Sequence, residues 1–255
     1  MLFRSVREGT CESCQQPIKV YETQVIGGPR KGEQIEVTYG CKCEDIKLAE
    51  TALENKAKAE KRQLKEKFSR YSLISKKLIE KTINDYEPKT ESQLHAKRTI
   101  ERFIEIFSKD NPKNLLLTGG FGVGKSHLSK VLTDGVLEKG FTAIFISVPK
   151  LLRRIRSTYN QDSKVKEDDI LDVLEKVDVL VLDDIGAEKQ SEWASEKLFD
   201  VIDSRQGMHT IYTTNYEPND LMDLLGERNF SRVVNEDTTV IEIDGPNYRF
   251  SDLGE

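Results

Sequence analysis

Four short runs of nearly continuous apolar character punctuate the chain from residue 114 on, at residues 114–118, 143–147, 177–182 and 210–214. Around and between them, apolar positions recur at helical spacing over 91–107, 128–139, 151–159, 168–175 and 193–204. Short strands without polar alternation are covered on both faces, and strands joined through helices run parallel. The pattern predicts an α/β domain over 85–255, a parallel sheet flanked by helices. The first 43 residues have another texture. Runs of β-type residues at 19–26 and 34–39 flank the turn-rich Gly27-Gly28-Pro29-Arg30-Lys31-Gly32, which predicts a small hairpin-bearing module over 1–43. From Glu44 to Lys81 there is neither Gly nor Pro, and Lys, Glu, Ala and Leu dominate, so one long helix is predicted within a linking region 44–84.

Composition changes this picture little. The 255 residues have room for one ordinary domain and a small one, and 37% hydrophobic against 33% charged residues still allows a core. No run approaches the roughly 18 apolar residues of a membrane-spanning helix, and Met1 to Glu8 lacks the apolar stretch of a signal peptide. A soluble cytoplasmic protein with no membrane partner is expected. The net charge of −5 hides a gradient: residues 1–113 carry 23 Lys and Arg against 18 Asp and Glu, and residues 114–255 carry 16 against 26. The mildly basic first part suits contact with nucleic acid, whereas the acidic second part excludes a broad basic surface but not a local stripe.

The chemistry concentrates at Gly119-Gly120-Phe121-Gly122-Val123-Gly124-Lys125-Ser126, with His127 next, which fits G-x-x-x-x-G-K-[ST] between a predicted strand and a predicted helix. Glycines let the backbone curl so that its N–H groups face phosphate oxygens, and the helix start adds favourable partial positive charge. Lys125 would reach the β- and γ-phosphates of ATP, and the Ser126 hydroxyl would complete a Mg²⁺ shell. The metal also needs a carboxylate. Asp183 and Asp184, at the end of the 177–182 run, supply it: Asp183 to hold Mg²⁺, Asp184 where many ATPases carry a Glu that polarises the attacking water. Aspartate is shorter, so slow or partner-dependent hydrolysis is expected.

All four cysteines lie in the first module, as Cys11-x-x-Cys14 and Cys41-x-Cys43. Four thiolates suit tetrahedral Zn²⁺, and a metal can fold a segment too small to stabilise itself by burial. The second pair has one intervening residue instead of two. Redox-active thiols and unliganded cysteines are the alternatives.

These residues resemble the AAA+ ATPases, and more narrowly the DnaC/DnaI-type replicative helicase loaders and their IstB relatives. The likeness rests on the phosphate loop, on Leu180-Val181-Leu182-Asp183-Asp184-Ile185-Gly186-Ala187-Glu188, on Thr213-Thr214-Asn215, on Gly226-Glu227-Arg228-Asn229-Phe230-Ser231-Arg232 and on Tyr248-Arg249, spanning about 85–250. It implies that Asn215 is the polar sensor of the γ-phosphate, that Arg232 is an arginine finger reaching the nucleotide of an adjacent subunit, and that Arg249 is the second sensor. Little chain follows Arg249, too little for the separate helical lid of many AAA+ proteins. The resemblance further implies self-association through the AAA+ domain, single-stranded DNA in a central channel, and a DnaB-type replicative helicase held by the N-terminal zinc-binding module and the helical region 44–84. Arg153, Arg154, Arg156 and Tyr159, on one predicted helix, are candidates for the DNA-facing wall, with a solvated helix face as the alternative. The implied function is ATP-dependent helicase loading during initiation of DNA replication. An IstB-like transposition helper, or a DNA-binding adaptor with weak hydrolysis, is the competing reading.

Overall fold

The computed structural model describes residues 4–160 and 162–249. The last residues, on which the expectation of a missing lid falls, lie outside that set. The chain forms two compact units, Met1–Gln63 and Leu64–Glu255.

In the first unit, β1 (Arg4–Thr10), β2 (Pro17–Gln24) and β3 (Gln34–Tyr39) form an antiparallel sheet in that order, followed by α1 (Cys43–Ser69), inside which the division between units falls. The glycine-rich turn joins β2 to β3, as predicted. Strand β1 was not expected from the sequence, because its only apolar residue, Val6, is exposed and leaves no alternation to read.

The second unit contains α2 (Lys76–Ile79), α3 (Glu91–Ile106), β4 (Asn114–Thr118), α4 (Lys125–Glu138), β5 (Ala143–Ser147), α5 (Val148–Ser157), α6 (Glu167–Lys176), β6 (Val179–Asp183), α7 (Glu192–Ser204), β7 (His209–Thr213), α8 (Pro218–Leu225), α9 (Glu227–Val233) and β8 (Thr238–Glu242). Its five strands are all parallel, in the order β5-β6-β7-β4-β8. Period-two alternation splits the core into two layers. Leu116, Leu180, Leu182 and Tyr212 pack on one face with α5, α6 and α7, while Leu115, Leu117, Val181 and Ile211 pack on the other with Ile100 of α3 and Leu128 and Leu132 of α4. Each such fully buried aliphatic side chain contributes about 1.5–3 kcal/mol.

Two expectations fail for tertiary reasons. The helix predicted over 44–81 ends at Ser69, because the next residues turn to the free edge of the sheet: the Leu73 amide donates to the Phe145 carbonyl (2.8 Å) and the Phe145 amide to the Ser72 hydroxyl (3.0 Å). The sequence also hides β8, an edge strand in which only Ile241 is buried. Strand β7 lies between β4 and β6, so the acids at the end of β6 come from two strands away from the phosphate loop.

Arg205, at the end of α7, is 1% exposed and forms no salt bridge among the described residues. Its guanidinium donates to the carbonyls of Leu174 (3.2 Å), Glu175 (3.0 Å), Val177 (2.6 Å) and His209 (2.6 Å), which closes the C-terminal end of α6 against the starts of β6 and β7. Burial pulls its pKa down to about 10, still protonated at neutral pH. Arg205→Met strands those carbonyls and is expected to destabilise the second unit by about 2–4 kcal/mol. Urea unfolding followed by fluorescence of the sole tryptophan, Trp193, which packs on this core, reads that loss directly; an unchanged midpoint would show the carbonyls find other donors.

Candidate nucleotide site and cysteine cluster

At the C-terminal edge of the parallel sheet, β4 runs into the phosphate loop and the loop into α4. The curl depends on glycine where neighbours crowd the backbone. Gly122 has φ +76°, and a Cβ there would sit 1.7 Å from the Asn247 side chain; Gly124 has φ +103°, and its Cβ would meet the Tyr86 ring at 2.2 Å. Gly124 is the N-cap of α4 and no side chain caps the helix, so the first-turn amides are left for an anion.

Lys125 is 5% exposed and uses its ammonium to hold the loop in shape. Nζ donates to the carbonyls of Gly119 (2.7 Å) and Gly120 (2.6 Å) and to Asn215 Oδ1 (2.8 Å). Burial pulls its pKa down to about 8, with Asp184 and Asp183 opposing that shift and Arg249 adding to it. Lys125 and Asn215, from two distant segments, are thereby brought together, and Arg249 is near enough for its charge to act on Lys125. Asn215 gets there because β7 is the strand beside β4, and its end faces the loop.

Thr213, to which sequence reading gave no role of its own, organises the acids. Its hydroxyl donates to Asp183 Oδ1 (2.7 Å) and accepts from the Asp184 amide (2.9 Å), while Asp184 takes a left-handed φ of +56°. Beyond them the Glu188 carboxylate accepts from the Gly186 amide (2.9 Å), so the Ile-Gly-Ala-Glu continuation locks the turn that presents the acids. The Ser126 hydroxyl lies near enough to Asp183 to oppose the rise in its pKa, so the two residues expected to hold Mg²⁺ are neighbours. Burial, reinforced by Asp184, pushes the Asp183 carboxyl up to about 6.

A strap over residues 243–249 crosses the loop from the other side. The Ile243 amide donates to the Thr118 carbonyl (2.9 Å) and the Tyr248 amide to the Gly122 carbonyl (3.1 Å), and the Tyr248 hydroxyl reaches Gln93 Oε1 (3.1 Å) and the Glu87 carbonyl. The strap is what carries Arg249 to the loop. Tyr86, buried, donates from its hydroxyl to the Val123 carbonyl (3.1 Å). The His127 ring lies edge-on to Tyr86 (5.5 Å between centroids) and bonds the Thr82 carbonyl (2.7 Å), so it braces the loop from the α4 side. Phe121 stands exposed at the loop tip.

The remaining assigned residues lie elsewhere. Arg232, on α9, pairs with Asp203 Oδ1 through Nε (2.5 Å) and has no contact with its own phosphate loop among the described residues. The four DNA-facing candidates divide into two groups. Arg153 and Arg154, with Lys150, Leu73, Ile74 and Ser157, line an open groove of about 460 Å³. Arg156 instead stacks on Trp193 (4.4 Å), and Tyr159 donates to Glu167 Oε2 (2.7 Å) and accepts from the Trp193 indole (3.2 Å).

In the first unit, the antiparallel register brings the four cysteines together. Thr10 of β1 is opposite Pro17, and Tyr39 of β3 is opposite Lys19, so the loops carrying Cys11, Cys14, Cys41 and Cys43 meet at the start of β2. Their sulfurs all lie within 4.8 Å of one another, and none is in a disulfide. A tetrahedral Zn–S length of about 2.3 Å requires sulfurs roughly 3.8 Å apart, so the cluster fits a metal after slight contraction. The neighbouring Cys14 amide brings the Cys11 thiol down to about 6, while Cys43, crowded first by Cys14, is raised to about 12.

A parallel β5-β6-β7-β4-β8 sheet with a glycine-rich loop leaving its β4 strand, acids at the end of β6 and Asn215 just beyond the end of the intervening β7 defines a P-loop fold of AAA+ type. The chain belongs to the family of IstB-like ATP binding proteins, matched over residues 42–252, within which the DnaC/DnaI-type helicase loaders fall. It is 27% identical over 154 residues to the replicative helicase loader DnaC of Escherichia coli (strain K12), covering 60% of this chain and 62% of that protein. It is 27% identical over 181 residues to the replicative helicase loader DnaI of Bacillus subtilis (strain 168), covering 69% and 57%. The chain thus spans about three fifths of the length of these curated relatives. Among solved structures, a crystal structure of the DnaC helicase loader matches with a TM-score of 0.61 and 30% identity over 67% of this chain and 100% of that one. A DnaI crystal structure gives 0.58 and 25%, over 69% and 94%. The family resemblance read from the sequence is borne out. Among the described residues no helix is long and apolar enough to cross a membrane.

The raised Asp183 pKa has a consequence for the nucleotide-free chain. An acid whose folded pKa lies above its unfolded value loses stability as pH rises between the two, here from about 3.8 to about 6. Asp183→Asn is therefore expected to stabilise the free protein by about 1–3 kcal/mol at pH 8, the gain fading below pH 6 and absent near pH 4. It should at the same time weaken Mg²⁺-dependent nucleotide binding. Urea titrations at pH 4 and pH 8, with and without nucleotide, test both halves; a variant no more stable at pH 8 contradicts the burial argument.

Proposed function

We propose that this protein is an ATP-dependent loader that places a replicative helicase on single-stranded DNA during initiation of replication. The observation that carries the reading is the convergence of Lys125, Asn215 and the Ser126–Asp183 pair at one loop, in a chain whose relatives are named replicative helicase loaders. The loop amides and the start of α4 bind the phosphates. Lys125 exchanges its loop carbonyls for β- and γ-phosphate oxygens, and Ser126 and Asp183 hold Mg²⁺, which when bound neutralises charge developing on the transferred phosphoryl group. Asp184, fixed by Thr213, orients the attacking water; its short reach makes turnover slow until a partner improves the geometry. Asn215 and Arg249 read the γ-phosphate within the subunit, and Arg232 acts as arginine finger on the neighbour's nucleotide. Because these contacts exist only with a γ-phosphate, ATP favours the assembled state and hydrolysis releases it.

The cysteine cluster holds one zinc that fixes the first unit, which engages the helicase. Arg153 and Arg154, in the open groove with Lys150, contribute to the DNA path; Arg156 and Tyr159 support the wall through Trp193.

Arg232→Ala should leave ATP affinity within about twofold of wild type and lower DNA-stimulated turnover by about 10³-fold or more, whereas Lys125→Ala should abolish nucleotide binding. Full turnover in the first variant places the finger elsewhere, and retained affinity in the second removes the phosphate-loop assignment. Affinity capture with the full chain in the presence of ATP should recover a hexameric helicase; recovery of a transposase instead decides for a transposition helper.

Elemental analysis of the purified chain should return about one zinc, and chelation should release it with loss of β-sheet signal from the first unit. A zinc-free protein with that sheet intact would refute the site.

A further inference from the structure

Helix α9 meets α7 through side chains spaced four apart on each helix. Asn229, 3% exposed, donates to the carbonyls of Leu225 (3.2 Å) and Ser195 (3.4 Å) and to the Ser195 hydroxyl (3.2 Å), and Val233 is fully buried, so one face of α9 is pinned in place. The adjacent face carries Arg228 and Arg232. Opposite them, α7 presents Phe199 and Asp203. Both guanidiniums lie over the single Phe199 ring, Arg228 at 3.5 Å and Arg232 at 4.6 Å from its centroid.

Arg232 is held by two of its three nitrogens. Nε donates to Asp203 Oδ1 (2.5 Å) and Nη1 to the Arg228 carbonyl (3.2 Å), while Nη2 has no hydrogen bond or ion pair among the described residues. The side chain is 32% exposed, and Nη2 is the one guanidinium nitrogen with no internal bond among the described residues. An arginine left to solvent samples many rotamers, and ordering it on arrival of a ligand costs binding free energy. Here that ordering is already done by a carboxylate on Nε and an aromatic face beneath the plane.

We propose that Asp203 is the positioning residue of the arginine finger: with Phe199 it seats Arg232 so that Nη2 is aimed out of the subunit, ready for an anionic γ-phosphate on an adjacent copy. This rests on the reading of Arg232 as the finger. Asp203 touches neither nucleotide nor metal and acts only through Arg232. Because the seat holds the cation by Nε, and Nη1 is spent on the Arg228 carbonyl, Nη2 is the corner left for phosphate; the carboxylate orients the finger and does not sequester it.

The test uses the full chain with ATP, Mg²⁺ and single-stranded DNA, and, independently of hydrolysis, self-association driven by a non-hydrolysable ATP analogue in sedimentation velocity. Asp203→Ala should lower kcat roughly 10- to 100-fold, the penalty of a misplaced catalytic group, and weaken analogue-driven association, with ATP affinity of the single subunit unchanged. Asp203→Glu should recover part of both. In the Arg232→Ala background, Asp203→Ala should add nothing, whereas a merely structural role would add its own loss and lower the unfolding midpoint. If Arg232→Ala abolishes turnover or association and Asp203→Ala leaves both within twofold of wild type, the seat is refuted and the finger stands. A faster Asp203→Ala variant also refutes it, since the carboxylate would then be a restraint. If Arg232→Ala itself changes neither quantity, the finger reading fails and the seat with it.

Discussion

The buried ammonium of Lys125 is the constraint on which the ATP-binding unit turns. It is almost wholly removed from water, and burial alone would favour its neutral form. It stays tolerable because three acceptors surround it: two carbonyls from its own loop and the Asn215 amide oxygen from β7. That arrangement ties the phosphate loop to a strand some ninety residues later in the chain. It also stores an unfavourable balance, a depressed cation beside the raised Asp183 carboxyl, which phosphate and a divalent metal would relieve together. A site that costs stability when empty is one whose ligand binds to a preformed charge pattern.

The sheet order is what makes this possible. Insertion of β7 between β4 and β6 separates the loop from the acids by one strand, and the end of that strand fills the gap with Thr213 and Asn215. One side chain fixes the acids and the other contacts the loop lysine, so a single strand end couples the two halves of the site. The strap after β8 completes the ring from the opposite side, and the Gly122 position is where its approach leaves no room for a Cβ.

Away from the loop, the outward-facing residues follow a common design in which a charged side chain is held by a neighbour of matching geometry. Arg232 rests on Phe199 and Asp203, Arg156 on Trp193, and Arg154 on Tyr71. Arginines placed this way have their rotamers restricted by an aromatic face or a carboxylate beside them.

Much of this was legible in the amino-acid order. Glycine spacing, the lysine and serine after it, and two acids closing an apolar run are local requirements of phosphate and metal chemistry, so they appear as contiguous motifs and were readable without coordinates. The four strands of the buried sheet were readable for the same reason, since burial on both faces writes itself as an unbroken apolar run. What escaped depends on neighbours distant in the chain. The long helix stops at Ser69 because a sheet edge offers Leu73 and Ser72 better partners, against their local propensity. Strands β1 and β8 carry too few buried positions to leave a periodic trace. The roles of Thr213, Asp203 and Phe199 are set by which strand or helix lies opposite them, and hydrophobic periodicity contains no term for that; only packing of the whole unit assigns it.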